Sequence, residues 1–283
     1  MSDDPLVSTT WLTARLGDPT LRIVDASFKM PGVSPTATQD YAAAHIPGAV
    51  FFDIDAIADR TSALPHMFPD AAQFAHNAGL LGIGDQHDVL IYDAGNWMGA
   101  PRAWWTFRLF GRHDVKLLDG GLKAWRAAGG AVTAEPTWAK PAHFTARTDA
   151  ARVRSKSELL DNLRSRAEQV VDARTPERFA GAVAEPWPGR RSGRIPASLN
   201  VPFGALSDAT TGAMKAPDEL RKLFDNAGVD TAQPIVTSCG SGVTAAALNL
   251  ALYRLGVANT ALYDGSWSEW GMEGGPPVAT GPA

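Results

Sequence analysis

Six consecutive residues, Cys239-Gly240-Ser241-Gly242-Val243-Thr244, combine the single thiol of the chain with two glycines and two hydroxyls. A thiolate is a strong nucleophile, and its pKa falls where backbone N–H groups and a helix N-terminus face it. The flanking residues predict such a setting. Ile235-Val236-Thr237-Ser238 is a short, largely β-branched run of strand type, and residues 245–255 place Leu248, Ala251, Leu252 and Leu255 on one helical stripe. A loop between a strand and a helix N-terminus collects backbone donors around its centre. A lone cysteine is commonly just a small buried hydrophobe. Yet a core strand followed by Gly-Ser-Gly packs little unless the backbone must curl around a bound group. Cys239 is therefore a candidate nucleophile, with the N–H groups of Gly240, Gly242, Val243 and Thr244 as candidate donors.

The elements that must carry this loop occur twice. Val170-Val171-Asp172-Ala173-Arg174 answers Ile23-Val24-Asp25-Ala26-Ser27, and Arg194-Ile195-Pro196-Ala197 answers His45-Ile46-Pro47-Gly48. Residues 217–227 answer 71–81, and Asp264-Gly265-Ser266-Trp267 answers Asp119-Gly120-Gly121-Leu122. The offsets stay between 145 and 149 residues in unchanged order, which marks a duplicated domain. Short strands alternating with helical patterns predict an α/β fold with a mostly parallel sheet flanked by helices in each copy. The expected organisation is an N-terminal copy over 5–134, a proline-punctuated linker over 135–150 and a C-terminal catalytic copy over 151–280. Ligand crevices of such sheets lie beyond the carboxyl ends of the strands, where Cys239 falls. The first copy has Asp93 at the cysteine position, so one copy carries the chemistry and the other is expected to be inactive.

Composition narrows the partners. The chain has 283 residues, 45% of them hydrophobic and 20% charged, with net charge −4 and a pI near 5.9, which disfavours nucleic acid and other polyanions. One cysteine excludes an intramolecular disulfide and any multi-cysteine metal site. Met1-Ser2-Asp3-Asp4-Pro5 lacks the basic and apolar regions of a secretory signal, and no apolar run is long enough to cross a membrane. A cytoplasmic monomer is expected, the duplication already supplying an internal interface. The tryptophans Trp104, Trp105, Trp125 and Trp270 read as packing residues, and Trp267 as the one nearest the site. Phosphate chemistry at Cys239 would call for an arginine six residues on, where this chain has Ala245.

At these residues the chain resembles the rhodanese-type sulfurtransferases in their tandem two-domain form. The resemblance rests on the Cys239 loop together with His45-Ile46-Pro47-Gly48-Ala49, Asp53-Ile54-Asp55, Asp59-Arg60-Thr61-Ser62, Leu118-Asp119-Gly120-Gly121 and Asp264-Gly265-Ser266-Trp267. Within the family the loop is similar to that of members using 3-mercaptopyruvate, since the thiosulfate branch is expected to carry cationic side chains where Gly240 and Ser241 stand. The resemblance implies a Cys239 persulfide, release of pyruvate, delivery of the sulfur to cyanide or to a thiol such as thioredoxin or a small thiol, and no metal or cofactor. It implies a relay of Ser241, His66 and Asp55 acting on the substrate thiol, which would put the site between the two copies. It implies Arg178 as the carboxylate-binding arginine. A second arginine is expected after Glu185-Pro186, where this chain has Trp187; either Arg190 or Arg191 substitutes or a single arginine suffices, and the competing reading of Arg190-Arg191 is a solvated surface pair. Phe28 falls where the family can have a pocket-lining tryptophan. Thiosulfate:cyanide sulfur transfer and a persulfide relay protein are the alternatives.

Overall fold

The computed structural model describes residues 4–282. Met1, Ser2 and Asp3, on which part of the no-signal expectation rests, lie outside the described residues, as does Ala283. In the first half five strands form one sheet: β1 (Leu6–Val7), β2 (Leu21–Asp25), β3 (Ala49–Phe51), β4 (Asp88–Tyr92) and β5 (Lys116–Leu118), in the order β1-β5-β4-β2-β3. In the second half β6 (Val153–Arg154), β7 (Gln169–Asp172), β8 (Leu199–Asn200), β9 (Ile235–Ser238) and β10 (Thr260–Tyr263) repeat it as β6-β10-β9-β7-β8. Every pairing between these strands is parallel. The central strands are buried along almost their whole length, as their unbroken apolar runs require when helices cover both faces.

The two halves share a core. The helix Ala245–Arg254 was expected to bury one stripe, but all residues from 245 to 252 are buried. Its outer face packs on the helix Ala100–Leu109 of the first half, itself buried throughout, and one apolar cluster runs through both. Small residues at Ala245, Ala246 and Ala247 let the elements approach closely. Residues 135–149 have no helix or strand, yet they lie against the first half: Phe144 is buried against Phe74 and Phe107, and Asp85 holds Thr145 by its N–H and hydroxyl. Among the described residues no helix is long and apolar enough to cross a membrane.

Candidate active site

β9 ends at Ser238 and the next helix begins at Ala245, so Cys239 opens the turn between them. The turn is held from behind. Ser266 Oγ accepts the Cys239 N–H (3.1 Å), while the carbonyls of Cys239 and Gly240 accept the N–H groups of Trp267 (3.0 Å) and Ser268 (2.7 Å). The Gly242 carbonyl accepts from Arg102 (3.3 Å). Gly242 is left-handed, with φ +81°, and a Cβ there would stand 2.7 Å from the Asp264 carbonyl oxygen, so glycine is required. With these carbonyls engaged elsewhere, the N–H groups of Gly240, Ser241, Gly242, Val243 and Thr244 have no acceptor among the described residues. Cys239 is 2% exposed beside this row of donors. Such a row stabilises a negatively charged sulfur.

The loop forms one wall of a cavity of about 410 Å³. Cys239, Gly240, Ser241, Val243 and Thr244 meet Phe28, Met30 and Met98 from the first half and Arg174, Arg178 and Trp187 from the second. The helix Pro176–Ala180 carries Arg178, whose Nε and Nη2 donate to Glu185 at 3.3 and 2.5 Å. Nη1 has no acceptor among the described residues, and the side chain is 23% exposed. A Cβ on Gly240 would stand 3.0 Å from Arg178 Nη2, so the missing side chain lets the guanidinium lie against the loop. The Glu185 side chain is fully buried and also takes Arg174 Nη1 (2.8 Å), while Asp172 accepts from Arg174 Nε and Nη2. Burial disfavours the Arg174 charge, and Asp172 and Glu185 more than offset it. Trp267 is buried under this guanidinium, 4.3 Å from it, and lies behind the cavity wall.

Arg190 and Arg191 lie away from this cavity, and neither is a free surface cation. Arg190 donates to the carbonyls of Ser268 and Pro188, and Arg191 to those of Gly271, Trp270 and Pro276, which ties both guanidinium groups to the C-terminal segment. Arg174, which lines the cavity, and Glu185, which holds both Arg174 and Arg178, were not singled out from the sequence. The repeat held a signal for Arg174: the first copy has Ser27 at that position, and a cation gained beside the active crevice alone is informative.

The other wall comes from the first half. Asp55, in the short helix Ile54–Ile57 capped by Asp53, is 59% exposed and lies 2.5 Å from Nδ1 of His66, whose side chain is 3% exposed. A carboxylate at Nδ1 favours the tautomer protonated there, which leaves the other ring nitrogen as an acceptor. That atom, Nε2, is buried without a partner among the described residues, and the ring stands edge-on to Phe28 (5.2 Å) and Trp187 (6.3 Å), both cavity residues. The structure therefore brings Asp55 and His66 together and sets them behind the Phe28–Trp187 side of the cavity. It forms no hydrogen bond between His66 and Ser241. Between the walls lies a buried ion pair that sequence reading missed, Arg102 with Asp264 (2.8 Å). Burial raises the Asp264 pKa, and the Arg102 charge pulls it back only in part.

Comparison with known proteins agrees with the duplication. The model of the Rhodanese-like domain matches residues 8–128 and again 155–273. The chain is 42% identical over 278 residues to 3-mercaptopyruvate sulfurtransferase of Homo sapiens, covering 96% of this chain and 93% of that protein. It is 43% identical over 274 residues to thiosulfate sulfurtransferase of Cricetulus griseus, covering 94% and 91%. Among solved structures it superimposes on SseA from Escherichia coli, a 3-mercaptopyruvate sulfotransferase of "Rhodanese" fold, with a TM-score of 0.86 and 40% identity over 94% of this chain and all of that one.

Proposed function

The chain belongs to the rhodanese-like family, and on that premise we propose that it is a sulfurtransferase taking sulfur from 3-mercaptopyruvate as a Cys239 persulfide. The observation that carries this reading is the row of uncommitted N–H groups beside Cys239, in a cavity whose accessible guanidinium is that of Arg178.

Arg178 Nη1 holds the donor's carboxylate, with Glu185 fixing the plane of the guanidinium. The Cys239 thiolate attacks the donor's sulfur. A sulfur–sulfur bond forms, the carbon–sulfur bond breaks, and its electron pair leaves with carbon as the enolate of pyruvate. The thiol proton passes through Ser241 to His66 Nε2, the imidazolium being stabilised by Asp55, and ends on the enolate carbon to give pyruvate. Because the structure has no Ser241–His66 bond, the donor's thiol and carbonyl complete that relay on binding. The N–H groups of the loop hold the terminal persulfide sulfur. A thiol or cyanide then takes that sulfur and restores the Cys239 thiolate. A reducing compartment such as the cytoplasm suits a free nucleophilic thiol, and the shared core of the two halves suits a monomer.

Gly240 and Ser241 add no cation to the cavity, which favours a keto-acid monoanion over the thiosulfate dianion. The Cricetulus griseus relative supports thiosulfate as the second donor to test. Intact-mass spectrometry after addition of 3-mercaptopyruvate should show a one-sulfur increment that maps to Cys239. No increment, or a higher kcat/KM for thiosulfate, overturns the donor assignment.

A further inference from the structure

Arg102 reaches from the first half to both chemical components of the site. Its Nη2 donates to the His66 carbonyl (2.5 Å), and its Nη1 donates to Asp264 Oδ1 (2.8 Å) and to the Gly242 carbonyl (3.3 Å). Asp264 Oδ2 in turn accepts the N–H of Phe68 (2.7 Å), two residues beyond His66, and the Phe68 ring lies 3.4 Å from the guanidinium centre. Both charged side chains are almost fully buried. A planar guanidinium can serve a carboxylate and two carbonyls in fixed directions at once, whereas an ammonium is a point charge on a flexible stem. The segment it holds needs holding: His66 has φ +60°, a left-handed backbone that is unfavourable for a non-glycine residue.

The placement of Arg102 traces to the first copy's own loop. Asp93 Oδ2 accepts the N–H groups of Gly99 (3.3 Å) and Ala100 (3.1 Å), which open the helix carrying Arg102. The first copy's loop, with Asp93 at the cysteine position, thus anchors the helix whose Arg102 reaches the Cys239 loop.

We propose that Arg102 is a positioning residue for sulfur transfer: by holding the carbonyls of His66 and Gly242 together it sets the Asp55–His66 pair against the Cys239 loop, with Asp264 neutralising and orienting it. The inference rests on the roles given above to Cys239 and His66. Losing the two-carbonyl grip lets the walls drift, and a displacement of about 1 Å costs about 100-fold in rate.

The test is Arg102→Lys in the full chain, with kcat and KM measured for 3-mercaptopyruvate and for thiosulfate with cyanide. Thiosulfate gives the same persulfide with sulfite leaving and no thiol proton to move, so it needs the loop but not His66. The expected result is a fall in kcat for mercaptopyruvate of about 10- to 100-fold at nearly unchanged KM, and a clearly smaller fall for thiosulfate. Asp264→Asn keeps the shape of the pair and should shift the donor ratio in the same direction by less; it carries the test if Arg102→Lys does not fold. Equal losses on both donors together with a lower Tm would reduce Arg102 to a structural ion pair, and unchanged kinetics would remove it altogether. A wild type that gains no sulfur sinks the functional reading and this one with it, whereas a wild type that gains sulfur while the variants keep its donor ratio sinks Arg102 alone.

Discussion

The turn after β4 and the turn after β9 are the same structural element in two chemical states. After β9 the thiol of Cys239 stands beside backbone donors that no protein group occupies. After β4 the equivalent position is Asp93, and its carboxylate fills the loop from within: Oδ1 accepts from Gly95 (2.8 Å) and Asn96 (3.3 Å), Oδ2 from Gly99 and Ala100. Burial raises the Asp93 pKa and these N–H groups pull it back in part. One loop keeps its donors for a ligand's charge, while the other has turned the same property into an internal anchor. The neighbourhoods diverge in parallel. Asp172 holds Arg174 beside the Cys239 cavity, whereas among the described residues its counterpart Asp25 faces no cation there but Ser27 and the Tyr92 hydroxyl, and burial raises its pKa. The two loops present the same row of backbone donors, filled after β4 by the Asp93 carboxylate and left open after β9 beside Cys239, and they differ as well in the side chains around them.

The largest way to break this contrast is to exchange the chemistry. Cys239→Ser should lower turnover by a factor on the order of 1,000 or more and abolish the sulfur adduct, because an alkoxide is not available near neutral pH. Adding Asp93→Cys to that variant should restore neither, since the first copy has no counterpart of the Arg174–Glu185–Arg178 cluster; a sulfur adduct located at position 93 by peptide mapping would show that the cradle alone suffices. A smaller effect is expected from the carboxylate contact. Arg178→Gln should raise KM for 3-mercaptopyruvate by about 10- to 100-fold through loss of a charge-assisted bond, with the thiosulfate KM moved less. Steady-state kinetics on both donors checks this, and an equal change in both would mean that Arg178 only braces Glu185.

The smallest effect falls on stability rather than rate. Asp93→Asn keeps the volume but turns an NH2 towards backbone N–H groups, which should cost about 1–3 kcal/mol in denaturant unfolding. The pH dependence has a definite sign. A carboxyl whose folded pKa lies above its unfolded value binds its proton more tightly in the folded state, so its contribution is complete below the ordinary aspartate value and is lost as pH rises through the folded one. The cost of Asp93→Asn should therefore be greatest at acid pH and shrink towards neutrality. A cost that grows with pH would show the Asp93 pKa to be lowered instead.

Periodicity and the near-constant offset made the duplicated α/β plan legible before any coordinates, and the strand–Cys239–glycine–helix order made the nucleophile legible too. Both are local properties: strand and helix periods and the backbone freedom of glycine are written in adjacent residues. Arg178 and the Asp55–His66 pair were named from a resemblance, because nothing near them in sequence distinguishes a site residue from a solvated one. Arg190 and Arg191 show the limit of proximity. They lie close in the chain to Glu185 and Trp187, yet backbone carbonyls some 80 residues away capture both guanidinium groups.

What the sequence determined by itself was the existence of two equivalent loops and which of them holds the thiol. What only the tertiary structure decided was the far side of the site. The helix Ala245–Arg254 is buried on every face because the helix Ala100–Leu109 covers it, and that packing brings Arg102 to residues 140 and 162 positions away in the chain. Burial makes each carbonyl and carboxylate at that seam need a partner. Which partner it finds is fixed by the docking of two sheets, and no spacing along the chain encodes it.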